Sequence, residues 1–328
     1  MNYIGAKNKL LPFLDENITE VVGSLKGKVF CDIFAGTGAV GRYFKTRVSK
    51  IIANDIETYS YVLNKNYIAN HQPIDASEFL DELNSLNGIE GFIFENYAQG
   101  GKENRLYFSS ENAKKIDAIR LKIEEWKNKG QLTDSIYYFL LASLLECADK
   151  VANTASVYGA YLKKLKKTAL KPLILEPALF QINDNSHEVF QKDSNDLIRE
   201  IEGDILYMDP PYNARQYGAN YHLLNTIAIY DKFAPKGKTG MRSYKRSQYC
   251  SKASVSNAFE KLISQAKFKY IFLSYNNEGL MSFDEIKNIM SRYGKYRVAS
   301  TNYQRFKADS NRENKADKTT EYLHILVK

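Results

Sequence analysis

The run DILYMDPPYNARQY sets a carboxylate, Asp209, directly ahead of two prolines, Pro210 and Pro211, and an aromatic ring, Tyr212. The apolar stretch from Asp204 to Met208 reads as a buried strand, and two consecutive prolines end it because neither can donate to a ladder. The result is a rigid turn at the carboxyl end of a strand, where open α/β sheets place their ligands. Asp209 offers an acceptor-only carboxylate, the Pro210 carbonyl is held in a fixed direction by the next ring, and Tyr212 presents a flat face. That set suits a planar base with an exocyclic amino group. Two acceptors on the two N–H bonds would draw the nitrogen toward tetrahedral geometry and stabilise positive charge as a bond forms. Removing one preorganised group of that kind costs roughly 3–4 kcal/mol of transition-state energy, and stacking on the ring adds about 1–3 kcal/mol. The bland alternative is a Pro-Pro loop with an aspartate at its start.

A second constellation lies near the amino terminus. VFCDIFAGTGAVGRYF passes from an apolar run, Val29 to Phe34, into a glycine turn and then a helical pattern. Glycines 36, 38 and 41 spell G-x-G-x-x-G, and Asp55 ends a second strand, IIAND, nineteen residues after Gly36. Glycines let the backbone approach a ligand closely, and a carboxylate after the second strand accepts bonds from ribose hydroxyls. A nicotinamide cofactor and S-adenosylmethionine both satisfy this pattern. No Gly-Lys-Ser/Thr follows, which excludes a P-loop.

The elements that must carry these turns belong to one large domain with an insertion, the expectation for 328 residues. Hydrophobic residues at 44% and charged residues at 26% describe an ordinary globular chain. The net charge of +8 favours a polyanionic partner. Cys31, Cys147 and Cys250 are too scattered for a zinc knuckle or a disulfide framework, and the four histidines are isolated. A metal site is therefore not expected. No apolar run reaches membrane-spanning length and the chain does not open like a signal peptide, so the expected location is the cytoplasm.

Along the chain a helix is expected from Leu10 onward and another over Glu57–Asn70. Apolar residues at helical spacing mark two more, about Asn112–Lys129 and Thr133–Lys150. Lysines 163, 164, 166, 167 and 171 then interleave with Tyr161 and Leu162. Such a run is either a solvated helix face or a phosphate contact; in a basic chain, the latter is expected. Residues 172–200 are mixed and polar with weak strand signals. After the Pro-Pro turn a helix is expected from about Tyr221. Residues 236–252 carry six Lys/Arg and no acid, and read as a mobile basic loop. Helices over Val255–Ala266 and Ser282–Tyr293 flank a strand, Tyr270–Ser274. Two last strands, about Tyr296–Tyr303 and Tyr322–Val327, are expected to form a hairpin around a charged connection, Lys307–Lys318.

A nicotinamide dehydrogenase would leave the Asp-Pro-Pro-Tyr turn and the basic segments without a purpose. A non-catalytic nucleic-acid-binding module with a vestigial cofactor site would not need two ligand-type turns at strand ends. A methyltransferase acting on an exocyclic amine of a nucleic acid uses all of them. In order, YIGAK, DIFAGTG, NDIE and DPPY resemble the Dam-type N6-adenine DNA methyltransferases. More narrowly, LYFSSENAKKIDAIR, KVANTASVYGAYLKKLKK and LSYNNEGLMS are similar to the adenine methyltransferases of type IIS restriction-modification systems, over nearly the whole chain.

The resemblance implies an α/β fold: a Rossmann-like seven-stranded S-adenosylmethionine-dependent methyltransferase sheet with an inserted, mainly helical target-recognition region. The expected boundaries are 1–74 and 202–328 for the catalytic domain and 75–201 for the insertion. It implies S-adenosylmethionine near Tyr3, Lys7, Asp32, Phe34, Ala35, Gly36, Thr37, Gly38, Asp55, Ile56 and Asp209, and catalysis at Asp209, Pro210, Pro211 and Tyr212. Ala6 stands where the family more often has a second glycine beside the lysine. Contacts to double-stranded DNA are expected from Lys163, Lys164, Lys166, Lys167, Arg215, Arg242, Lys245 and Arg246. The expected substrate is adenine flipped out of the duplex, with cytosine N4 or a base of structured RNA as the alternative within the same fold. A cognate restriction endonuclease is the expected partner, and no membrane or metal is expected. A monomer is expected because no long apolar surface helix stands out.

Overall fold

The computed structural model describes residues 7–304 and 318–328. Tyr3 and the connection expected at 307–318, apart from its last residue, lie outside these. Two compact units make up the described residues: one of residues 57–182 and 217–245, the other of residues 7–56, 183–216, 246–304 and 318–328.

The second unit holds one mixed sheet of seven strands: β1 (Val29–Asp32), β2 (Lys50–Asn54), β3 (Glu188–Phe190), β4 (Glu202–Met208), β5 (Lys267–Asn276), β6 (Lys295–Gln304) and β7 (Lys318–Val327). Their order is β3-β2-β1-β4-β5-β7-β6, parallel except for β7, which runs antiparallel to both neighbours. The seven strands and their α/β setting agree with the expectation from the sequence. Strands β1 and β4 are apolar runs because they lie between two neighbours and are covered on both faces. Cys31, Ile33, Leu206 and Met208 are buried with Leu273, Phe259 and Leu262 in the core of this unit. The helix Val255–Gln265 packs by Val255, Ala258, Phe259, Leu262 and Ile263, the i, i+3, i+4, i+7, i+8 stripe of an amphipathic helix. Ser282 and Glu285 close a capping box at the start of the helix Phe283–Ser291.

The chain winds outward one way from β1 to β2 and β3, and the other way from β4 to β5. The order therefore reverses between β1 and β4, and a crevice opens at their carboxyl ends. Because β7 is antiparallel to β5, with Asn276 opposite Glu321, the first residues of β7 arrive at that same end.

The first unit is helical. Its longest helices are Ser110–Asn128 and Asp134–Val151, capped by Ser109 and Thr133, whose side chains accept from Asn112 N–H and Ile136 N–H. Tyrosines 59, 97, 107, 158 and 221 are fully buried in its core, so much of the chain's tyrosine is packing material. The helical unit takes in 217–245 as well as 57–182, and β3 lies at the sheet's edge. A three-residue edge strand carries too short a pattern to be read from residue types.

Candidate active site

Two turns of the sheet unit build the site. After β1 the Ile33 N–H donates to the Tyr207 carbonyl (3.3 Å) and the Ala35 N–H to the Asn54 carbonyl (2.8 Å), tying the turn to β4 and β2. Gly36 and Gly38 take φ of +52° and +76°, which side-chain-bearing residues rarely adopt. The Gly38 N–H returns to the Ala35 carbonyl at 2.8 Å, and the Gly36 N–H donates to Oδ2 of Asp55 at 2.9 Å. Asn54 locks the floor: its amide donates to the carbonyls of Ile33 and Lys192, both at 3.1 Å. Phe34 meets Tyr249 edge-on at 4.9 Å. Thr37 and Ile56 are half-buried, and the Ile56 carbonyl accepts from Gln191.

Asp32, at the end of β1, is buried, and its Oδ1 has no hydrogen-bond partner among the described residues. Burial, with the negative charges of Asp209 and Asp55 adding, pushes its pKa up to about 8, against the pull of backbone N–H groups of Gly41 and Phe34. An orphaned, buried carboxyl oxygen beside a glycine turn fits a ligand that brings its own N–H groups or positive charge. S-adenosylmethionine is such a ligand, and Asp32, the 34–38 turn and Asp55 are the residues that would hold it.

The second turn follows β4. Pro210 is buried, Pro211 and Tyr212 are half-buried, and the Tyr212 carbonyl accepts from the Leu280 N–H at 2.9 Å, which pins the turn to the segment after β5. Oδ1 of Asp209 lies 3.1 Å from the Lys7 ammonium, and that ammonium is also 2.7 Å from Oε1 of Glu321. Ser274, in β5, donates to the same Glu321 oxygen at 2.8 Å. Burial pushes the Asp209 pKa up to about 6; Lys7 opposes the rise and Glu321 adds to it. Lys7 itself is raised: burial works to discharge it, but the carboxylates of Asp209 and Glu321 prevail.

The expected residues thus meet in two groups. Asp32, the 34–38 turn and Asp55 form one, and Lys7 joins Asp209 in the other. The resemblance implied Lys7 and Asp209 near the cofactor, and the Lys7 ammonium lies 3.1 Å from Asp209. Glu321 and Ser274 were not singled out from the sequence. The available signal was a glutamate in the apolar run TTEYLHILV, since a charge buried in a strand requires a partner.

The basic segments are sorted by the structure. Lys163, Lys164 and Lys167 are exposed, whereas Lys166 turns its ammonium inward to the Thr154 carbonyl at 2.8 Å. Their backbone is not a helix. It is strapped by Asn153, which accepts from Lys166 N–H and donates to the Leu106 and Leu162 carbonyls, and by Asn112, which donates to the Ala169 and Lys171 carbonyls. Arg242 forms a two-point pair with Asp231 (3.0 and 3.2 Å) and covers the Phe233 ring. Arg215, Lys245 and Arg246 are exposed. The segment expected to be mobile, 236–252, is tied down in its first half: Arg105 donates to the carbonyls of Lys238 and Gly237, and Tyr97 to that of Gly240. No group of His, Cys, Asp and Glu among the described residues is placed to hold a metal, and none of their helices is long and apolar enough to cross a membrane.

A sheet of this order with a glycine turn after its first strand and an acidic Pro-Pro-Tyr turn after its fourth defines a methyltransferase of exocyclic amines. The chain belongs to the D12 class N6 adenine-specific DNA methyltransferases, whose family profile matches residues 3–316. It is 63% identical to the type II methyltransferase M.NlaIII of Neisseria lactamica, over all of this chain and 99% of that one. It is 40% identical to the type II methyltransferase M.CviAII of Paramecium bursaria Chlorella virus 1, over 94% of this chain and 93% of that protein. It is 38% identical to the type II methyltransferase M.FokI of Planomicrobium okeanokoites, of which it spans 53%. The reaction is transfer of a methyl group from S-adenosylmethionine to N6 of adenine in DNA.

Proposed function

We propose that this chain is the modification component of a restriction-modification system, methylating one adenine of a short duplex sequence that a cognate restriction endonuclease also reads. The type II relatives support that setting. The observation that carries the reading is the half-buried carboxylate of Asp209, held at the end of β4 with Lys7 3.1 Å from Oδ1.

S-adenosylmethionine supplies a methyl group already activated by its sulfonium charge. Asp32, Phe34, Ala35, Gly36, Thr37, Gly38, Asp55 and Ile56 hold the donor. Tyr3, from the amino-terminal motif, is assigned to the same site by resemblance. The adenine leaves the duplex and stacks on Tyr212. Asp209 and the Pro210 carbonyl accept its two amino hydrogens, so charge that develops on N6 meets acceptors already in place. A carboxylate with a pKa near 6 is also suited to receive the proton that N6 sheds once its new bond has formed. Pro211 keeps the Pro210 carbonyl aimed. Lys163, Lys164, Lys167, Arg215, Lys245 and Arg246 contact phosphates, and the helical unit reads base edges. The enzyme works as a monomer in the cytoplasm.

Incubation with labelled donor and either duplex DNA or RNA tests the reading. The expected product is N6-methyladenine in DNA; N4-methylcytosine, or label in RNA alone, would overturn it. Asp209→Ala is expected to bind donor normally and lose about 100- to 1,000-fold in transfer rate. Full turnover by that variant would remove Asp209 from the mechanism.

A further inference from the structure

We propose that Glu321 is a positioning residue of the methyl-transfer step: from the first turnings of β7 it holds the Lys7 ammonium against Oδ1 of Asp209 and so fixes the carboxylate that receives the adenine amine. The proposal rests on the role given to Asp209 above. Glu321 and Lys7 are 4% and 7% exposed, and their contact at 2.7 Å is shorter than that between Lys7 and Asp209, at 3.1 Å. Lys7 is therefore held between Glu321 and Asp209. Ser274 prevents Glu321 from swinging away, because its hydroxyl donates to the very oxygen that meets Lys7.

Charge makes the arrangement more than a plug. A lysine paired with Asp209 alone would form a neutral couple, offering little attraction to an amine that turns cationic as it takes a methyl group. With Glu321 present, the buried set of two carboxylates and one ammonium carries a net charge of −1. That charge faces a reaction centre that carries +1 throughout, and in a water-poor setting such pairing acts strongly. Removing the Lys7 ammonium would leave two buried carboxylates facing each other uncompensated, the costly condition for buried ions.

The groups facing Asp209 come from five elements. Lys7 approaches from the amino-terminal turn, Asp32 from β1, Tyr207 from β4, Glu321 from β7, and Tyr212 from the Pro-Pro turn; Ser274 of β5 acts through Glu321. Glu321 raises the Asp209 pKa. Replacing it with glutamine therefore lets Asp209 ionise at lower pH, while loosening Lys7.

The test is the pH profile of kcat for wild type, Glu321→Gln and Glu321→Asp, with a carboxyl-carbon NMR titration of Asp209 in the ligand-free proteins, the signal being assigned through Asp209→Asn. Glu321→Gln is expected to lower kcat by about 10- to 100-fold, as loss of an outer partner of a reacting group does, with KM for donor and DNA little changed. Its acid limb and its Asp209 titration should both move to lower pH, and Glu321→Asp, which keeps the charge, should bring them back. In a Lys7→Met background the same substitution should cost far less, because its effect passes through Lys7. An unmoved limb, or losses that simply multiply, would overturn the proposal. Should Glu321→Gln not fold, Ser274→Ala carries the test: it removes no charge, and an unchanged kcat would count against Glu321 as a positioning residue. If wild type methylates no adenine, the functional reading fails, while the ligand-free titration still reads the coupling of Glu321 to Asp209.

Discussion

Asp209 works in opposition to its own surroundings. Burial lifts its pKa to about 6 and Lys7 holds it down, so the residue is ionised at neutral pH with a narrow margin. The sign of the pH dependence follows. An acceptor must be ionised, so kcat is expected to be half-maximal near pH 6, to approach its plateau above that value and to fall below it. Lys7→Met removes the group that lowers the pKa, so its acid limb is expected to lie at higher pH than that of wild type. A limb at unchanged or lower pH, read from initial rates of methyl transfer, would show that Lys7 does not govern Asp209. Asp32 differs in kind: burial lifts its pKa to about 8, and only one of its two oxygens lacks a partner among the described residues.

The lysine run divides into an inward and an outward part. Lys166 is spent inward on the Thr154 carbonyl, and the buried side chains of Asn112 and Asn153 hold the surrounding backbone, so Lys163, Lys164 and Lys167 are displayed from a fixed frame. Each phosphate contact contributes about 0.9 to the slope of log affinity against log salt. Replacing Lys163, Lys164 and Lys167 by alanine is expected to flatten that slope by up to about 3, leaving the melting temperature nearly unchanged. Lys166→Ala should do the reverse, lowering stability with little change in slope. Fluorescence anisotropy over a salt series checks both; an unaltered slope in the triple variant would make the run a solvated surface. The turn at 237–240 follows the same logic, since three of its carbonyls are taken by Arg105 and Tyr97 and its shape is set from outside the loop.

For the molecule as a whole, stability and donor binding are linked. A ligand that binds only the folded chain stabilises it by about 2.7 kcal/mol at one hundred times its Kd. Sinefungin, a stable analogue of the donor, is expected to raise the melting temperature of wild type and of Asp209→Ala, and to lose most of that effect in Asp55→Ala. An equal rise in Asp55→Ala would place the donor elsewhere. The net charge of +8 acts at this scale too, drawing the chain to DNA before any specific contact is made.

The sequence alone determined what depends on near neighbours. The apolar runs of β1 and β4, the glycines that permit the turn after β1, the prolines that end β4, and the spacing of Asp55 are all local, and they sufficed to place the two turns at strand ends. Family motifs in order supplied the chemistry. The edge strand β3 escaped because three residues make no period. Only the tertiary structure decided that Lys7 meets Glu321, 314 positions away, and Asp209 with it. That meeting depends on β7 entering the sheet antiparallel to β5 in one register, with Glu321 opposite Asn276. Strand order and register are set by the packing of the entire sheet, so no local pattern of residue types encodes them.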